Sequence, residues 1–285
     1  MPNIRTIRRR IRSVENTAKI TRAMEMIAAS KMRRAQQRVL AGRPYAEKMR
    51  QVLTNLAVQA QGLESSHPLL EKREVTTIQL LHITPDRGLA GGLNTNLNRR
   101  ATQFILEERV KVNVITIGKK GRDFMVRHGQ DVRAVFTDLA DHVTVGDILP
   151  ISRIVMDDYR SGAVDQVYVM YAHYVSTMVQ QPTLRQLLPV QAPEEAGRGI
   201  DYIYEPSPLA VLTTILPRFV DMQVYQAMLE ANASEQSARM VAMRNATDNA
   251  GEMVEDLTLE LNKARQAMIT GELLDITGGV AALEG

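Results

Sequence analysis

The 285-residue chain has no cysteine and no tryptophan, and only four phenylalanines. Without thiols, a disulfide framework, a thiolate metal site and a cysteine nucleophile are all excluded. Aromatic residues make up 4% of the chain, which suits long, thin helical packing better than a β-sandwich. No stretch approaches the ~20 consecutive apolar residues of a membrane-spanning helix. The N-terminus "MPNIRTIRRRIRS" is arginine-rich, but no apolar segment follows it as in a secretory signal. Its pattern runs on smoothly into the next helix, so it reads as mature protein in the cytoplasm.

Charge is present but unevenly placed. Residues 1–50 hold 14 Lys/Arg and 3 Asp/Glu, a net of +11, whereas residues 207–285 hold 5 and 11, a net of −6. The opposite signs favour pairing of the two ends; two solvated faces of unlike composition would give the same counts. The stretch "ITRAMEMIAASK" (20–31) adds a second oddity. At about 100° per residue, Ile20, Met24 and Ile27 share one stripe, while Met26 and Ala29 point nearly the other way. An ordinary surface helix places charge there, so this helix is expected to touch something on both sides.

Residues 4 to about 60 read as one long helix. Ile4, Ile7, Ile11, Val14, Ala18 and Thr21 fall at alternating steps of three and four, the spacing of a coiled coil. The phase drifts around Glu25 and resumes at Met49, Leu53, Leu56 and Ala60, and Pro44 is expected to kink or break the helix. A second long helix runs from about Ser207 to the end. Its seam is Met243, Ala246, Ala250, Met253, Leu257, Leu261, Ala264 and Met268, with one slip at Leu261 and an irregularity at Pro217. About 75 residues of helix would extend roughly 110 Å, and a lone helix of that length needs a partner. The first helix is the expected one, giving an antiparallel two-helix rod.

Between the two helices the pattern is of another kind. Strands are expected at 76–84, 112–118 and 132–139, with helices after the first two and at 145–161, and paired strands at 166–176 and 182–190. The helix after "PDRGLAGGLN" (85–94) is expected to be capped near Asn94 to Asn96. Alternating strands and helices imply an inserted, Rossmann-like α/β domain with a largely parallel sheet. The expected organisation is an N-terminal coiled-coil helix at 1–62, an α/β domain at 75–200 and a C-terminal coiled-coil helix at 207–285.

Chemistry is conspicuously missing. "GLAGGL" (88–93) resembles a phosphate-cradling turn before a helix. It fits neither G-x-G-x-x-G nor G-x-x-x-x-G-K-[ST], so it reads as a tight turn. His67, His82, His128, His142 and His173 show no ligand spacing. The expectation is a chain with no catalytic residue, no cofactor and no metal. Arg8, Arg9, Arg10, Arg33 and Arg34 could neutralise phosphates, but no aromatic precedes Tyr45 to stack a base, so no nucleic-acid partner is expected. An α/β nucleotide-binding enzyme and a basic coiled-coil scaffold for nucleic acid stand as the alternatives.

"TAKITRAMEMIAASKMRRAQ" (17–36), "PDRGLAGGLNTN" (85–96) and "SEQSARMVAMRNATDNAGEMVEDLTLELNKARQAMITGELLDITGG" (234–279) resemble the gamma subunit of rotary proton-translocating ATP synthases of bacterial type. The likeness runs the whole length in the right order. It departs at Pro85 and Ala90, where the family commonly has Ser and Cys. The resemblance implies a rotor shaft inside a ring of three alpha and three beta subunits. The α/β domain would stand on a membrane c ring beside an epsilon subunit, on the cytoplasmic side of the cell membrane. It implies that Arg22, Met26, Lys31 and Arg33 meet the beta subunits, and that Arg265 and Gln266 in "KARQ" bond a loop on beta. Tyr204 and Glu205 in "YIYEP" would meet epsilon and the c ring. The shaft would couple proton flow to ATP synthesis without catalytic residues of its own.

Overall fold

A computed structural model describes residues 4–59, 67–139, 142–191 and 204–284. Ten elements follow one another: α1 (Ile4–Gln59), β1 (Thr77–Ile83), α2 (Leu93–Glu107), β2 (Lys111–Ile117), α3 (Lys119–Arg127), β3 (Asp131–Phe136), α4 (Val145–Arg160), β4 (Gln166–Tyr174), β5 (Gln180–Leu188) and α5 (Pro208–Glu284). The chain divides into two compact units. One comprises Met1–Ala28 with Met240–Gly285, the other Ala29–Arg239.

The larger unit is built on a five-stranded sheet in the order β3-β2-β1-β4-β5. Strands β1 to β4 are parallel and β5 returns antiparallel to β4. Every expected strand is present, each within a few residues of its expected ends. Side chains alternate across the sheet, so its two faces carry separate cores. Leu81, Ile83, Ile115 and Ile117 pack with Ile148, Ile151 and Tyr159 of α4, Leu216, Val220 and Val224 of α5, and Leu53 and Leu56 of α1. On the other face Ile78, Leu80, Val112 and Val114 pack with Leu97, Ala101 and Phe104 of α2 and Met125 of α3. Burial on both faces explains why β1 reads as a continuous apolar run.

Two local expectations need correction. Gly92, not Asn94 to Asn96, is the N-cap of α2, and it makes no side-chain cap bond; the asparagines lie inside the first turns. Helix α1 runs through Pro44, and α5 through Pro217, without interruption.

The seams also differ from the sequence reading, and they are more regular than expected. Along α1, Ile4, Ile7, Ile11, Val14, Ala18, Thr21, Glu25, Ala28, Met32, Ala35, Val39, Gly42, Ala46, Met49, Leu53 and Leu56 are all buried or half-buried. The three-four alternation therefore never drifts, because Glu25 occupies the seam where an apolar residue was sought. On α5 the protected positions that keep the three-four step are Met243, Thr247, Ala250, Val254, Leu257, Leu261 and Ala264, with no slip, and Ala246 of the expected seam is half-buried beside them. Met253 and Met268, assigned to the seam from sequence, are exposed at 53% and 47%.

Candidate functional site

The two-helix unit is joined by polar contacts at its seam. The hydroxyls of Thr21 and Thr247 lie 2.7 Å apart. One turn on, Arg244 Nε donates to Glu25 Oε1 at 3.0 Å. The partner's number falls as the α1 number rises, so the two helices run in opposite directions here. The ion pair opposes the bulk charge asymmetry, since the acid comes from the basic end of the chain and the base from the acidic end. Arg244 is 65% exposed, and exposed pairs stabilise little. A double-mutant cycle on Glu25→Ala and Arg244→Ala is expected to give a coupling of ~0.2–1 kcal/mol in thermal unfolding. A coupling well above that range would mean the pair is shielded from solvent.

The candidate contact residues take up distinct places. Arg22 is exposed, and Met26 is 62% exposed, close to Ile20 at 60% and Ile27 at 56%. Arg265 and Gln266 are exposed on α5. They lie 18 and 19 residues beyond Thr247 in the sequence, hence about 27 Å along the helix axis from the Thr21–Thr247 contact. The structure thus separates them from Arg22 and Met26. From the Thr21–Thr247 register, Ile4 lies opposite Ala264, so α5 continues past the described start of α1. That stretch exposes Ile269, Leu273, Leu274 and Ile276.

In the larger unit, Lys31 is half-buried and Arg33 exposed. Tyr204 is half-buried against the core that includes α4 and α5, and Glu205 is exposed. The Gly-rich loop is occupied by the protein itself. Asp86 Oδ1, Pro85 O and Thr84 Oγ1 accept the backbone N–H groups of Lys119, Lys120 and Gly121 at 2.9, 3.2 and 2.7 Å. These are the first-turn donors of α3, which would otherwise be open to an anion. Asp86 Oδ2 also accepts from Asp138 N at 3.0 Å, and Arg239 Nη2 donates to Gly88 O at 3.3 Å. Leu89 and Gly91 carry positive φ, 63° and 56°. The loop is a bracket that fastens α3 and α5 to β1. Sequence reading missed Asp86 and Thr84 in this role, because their partners lie over thirty residues away.

The buried histidines are likewise structural. His82 is fully buried, with Nε2 2.9 Å from Asn98 Oδ1, and burial pushes its pKa down to about 4. His67 is lowered by burial and then by Arg160, and its Nδ1 accepts from Leu69 N at 3.2 Å. Among the described residues no group of His, Asp and Glu could hold a metal ion.

Among the described residues, two long helices run in opposite directions beside each other at Thr21–Thr247, and the chain between them folds as an α/β unit on a five-stranded sheet. A family model described as ATP synthase matches residues 3–283. An ATP synthase gamma chain of Dehalococcoides mccartyi is 59% identical over 284 residues, covering 99% of this chain and all of that one. A Roseiflexus gamma chain is 56% identical over 288 residues, covering 99% of each. Among solved structures, the central stalk and c-ring structure of Tetrahymena thermophila mitochondrial ATP synthase superposes with a TM-score of 0.60 at 26% identity. That match covers 80% of this chain and 99% of the other. The chain belongs to the ATP synthase gamma chain family.

Proposed function

We propose that the chain is the central rotor shaft of a proton-translocating ATP synthase. It is a non-catalytic subunit that carries rotation of the membrane c ring to the catalytic beta subunits. The observation that supports this best is the surface of the two-helix unit. Ile20, Met26 and Ile27 on α1, and Leu273, Leu274 and Ile276 on α5, are each more than half exposed. Exposed apolar groups in such number mark a surface that another protein covers. A shaft enclosed in a sleeve has no side reserved for water, which accounts for apolar residues on opposite sides of one helix. No helix among the described residues is long and apolar enough to cross a membrane, so attachment to the membrane runs through the assembly.

In this reading α1 and α5 form an antiparallel coiled coil. The segments are 1–62 and 207–285 for the rod and 75–200 for the inserted domain. Three alpha and three beta subunits surround one shaft on the cytoplasmic side of the membrane. Arg22, Met26, Lys31 and Arg33 bear on the beta subunits. The Arg265 guanidinium and Gln266 amide are suited to a carboxylate and backbone on beta. Tyr204 and Glu205 meet epsilon and the c ring. Because the shaft is asymmetric, each beta subunit meets a different face, and only such differential contact can shift three nucleotide sites apart.

Reconstitution tests the reading. The purified chain is mixed with alpha and beta subunits, and ATP hydrolysis by the isolated complex is compared with each component alone. One copy per three of each partner, with turnover only in the complex, is the expected outcome. Hydrolysis by the chain alone, or its absence from the ring, would sink the proposal. Arg265→Glu is expected to cut ATP-driven proton pumping several-fold in the membrane-bound complex, and wild-type pumping would remove Arg265 from the contact set.

A further inference from the structure

Helix α5 is fastened to β4 and the turn after it by hydrogen bonds from a row of buried side chains. Glu230, Ser234 and Ser237 follow at i, i+4 and i+7, one stripe of a helix. Their exposures are 6%, 0% and 0%. Glu230 Oε2 accepts from His173 Nδ1 at 2.5 Å and Glu230 Oε1 from Gln226 Nε2 at 3.2 Å. Burial, with the Glu230 charge second, pushes the Tyr171 phenol up to about 12. Ser234 Oγ donates to Ala172 O at 2.8 Å, and Ser237 Oγ to Thr177 O at 2.8 Å. Gln180 Nε2 donates to Ser237 Oγ at 3.4 Å. The same turn holds α1, because Gln36 Nε2 donates to Tyr174 Oη at 2.5 Å, and Tyr174 Oη is 3.4 Å from Thr177 Oγ1.

Apolar packing would have sufficed for burial alone. It is non-directional, and it tolerates small sliding or turning of a helix on its bed. Hydrogen bonds are directional, and a buried donor or acceptor pulled from its partner is costly. The row therefore fixes both the rotation and the axial register of α5 against β4. A buried carboxylate makes the constraint stricter, since it must keep its donors.

We infer that Glu230, Ser234 and Ser237 are positioning residues that lock α5 to the α/β domain, so that torque applied to the domain turns the helix without slip. This rests on the rotor reading and adds the place where load enters the shaft. Helix α5 is continuous from Pro208 to Glu284, so holding it at 230–237 holds the element that carries Arg265 and Gln266.

The test is rotational stiffness in the reconstituted complex. The chain has no cysteine, so Leu106→Cys, at an exposed position of α2, gives a unique attachment for a bead while the ring is fixed to glass. Angular fluctuation is recorded in the pauses between steps. The E230A/S234A/S237A variant is expected to roughly double the variance, because three directional constraints are gone. E230Q keeps an acceptor for His173 and should stay near wild type. If the triple variant does not fold, the S234A/S237A pair, which removes three bonds and no charge, carries the test with a smaller increase. Unchanged variance in a folded variant would overturn the inference and assign the load to apolar packing. If the unmodified chain neither joins the ring nor rotates, the rotor reading fails, and the lock with it.

Discussion

Gly118→Ala is expected to remove most of the stability of the α/β domain. Gly118 stands between β2 and α3 at φ +95°, and a Cβ built there would lie 1.9 Å from Thr84 O. That oxygen is backbone, and both segments are tied down: Thr84 N donates to Ile117 O at 2.8 Å, and Gly118 N donates to Phe136 O at 2.8 Å. Neither β1 nor β2 can yield without breaking the sheet. Backbone strain of ~1–3 kcal/mol adds to overpacking of ~1–3 kcal/mol or more. The sum is about 2–6 kcal/mol, a large share of the margin of an ordinary domain. Gly129→Ala is the control. Gly129 has φ +67° with nothing within 4 Å of a new Cβ, so it should lose only ~1–2 kcal/mol. Urea unfolding followed by tyrosine emission separates the two; the signal is clean because the chain has eight tyrosines and no tryptophan. Equal losses at the two sites would show that the contact with Thr84 yields.

Acid should weaken the same domain through His82. Its folded pKa of about 4 lies below the ordinary value of 6.5, because burial disfavours the charged form. The unfolded chain therefore binds the proton first. The neutral-histidine contribution is fully present above pH 6.5 and is lost as pH falls toward 4. By pH 4 the loss amounts to ~3 kcal/mol. His67 acts in the same direction, its pKa lowered by burial and by Arg160. Asp165 acts at still lower pH. Burial would raise its carboxyl, but bonds from Thr76 and Thr77, with Arg73 nearby, bring it below its ordinary value. His82→Gln removes the titrating group and should flatten the fall between pH 6.5 and 4 while lowering stability at neutral pH. Parallel pH curves for the two proteins would clear His82 of the effect.

Sequence alone reached the succession of strands and helices along the chain but not every join. The βα alternation was legible because two-faced burial leaves mostly apolar runs such as "TIQLLHI", in which even Gln79 and His82 are buried. The two long helices were legible from their three-four spacing. Their apparent breaks came from treating the seam as purely apolar. Glu25 and Thr247 are polar yet belong to it, because Arg244 and Thr21 satisfy them across the pair. No local pattern signals that, since the partner lies over two hundred residues away. The α2 cap was misplaced for a related reason, as Asn94 to Asn96 have cap chemistry but the loop ends on Gly92. Among the candidate contact residues, exposure of Met26 was foreseeable from the helical phase. The half-burial of Lys31 and Tyr204 depends on tertiary packing and was not.

The bare apolar rims at Ile20, Met26 and Ile27 and at Leu273, Leu274 and Ile276 have a consequence for the cell's economy of synthesis. A chain that keeps such groups uncovered until its partners arrive is sticky for as long as it waits. Copies made in excess of their sleeve would associate with one another or with chaperones, and proteases would clear them. In the proposed assembly, accumulation of this subunit would follow the supply of the partners that cover these groups.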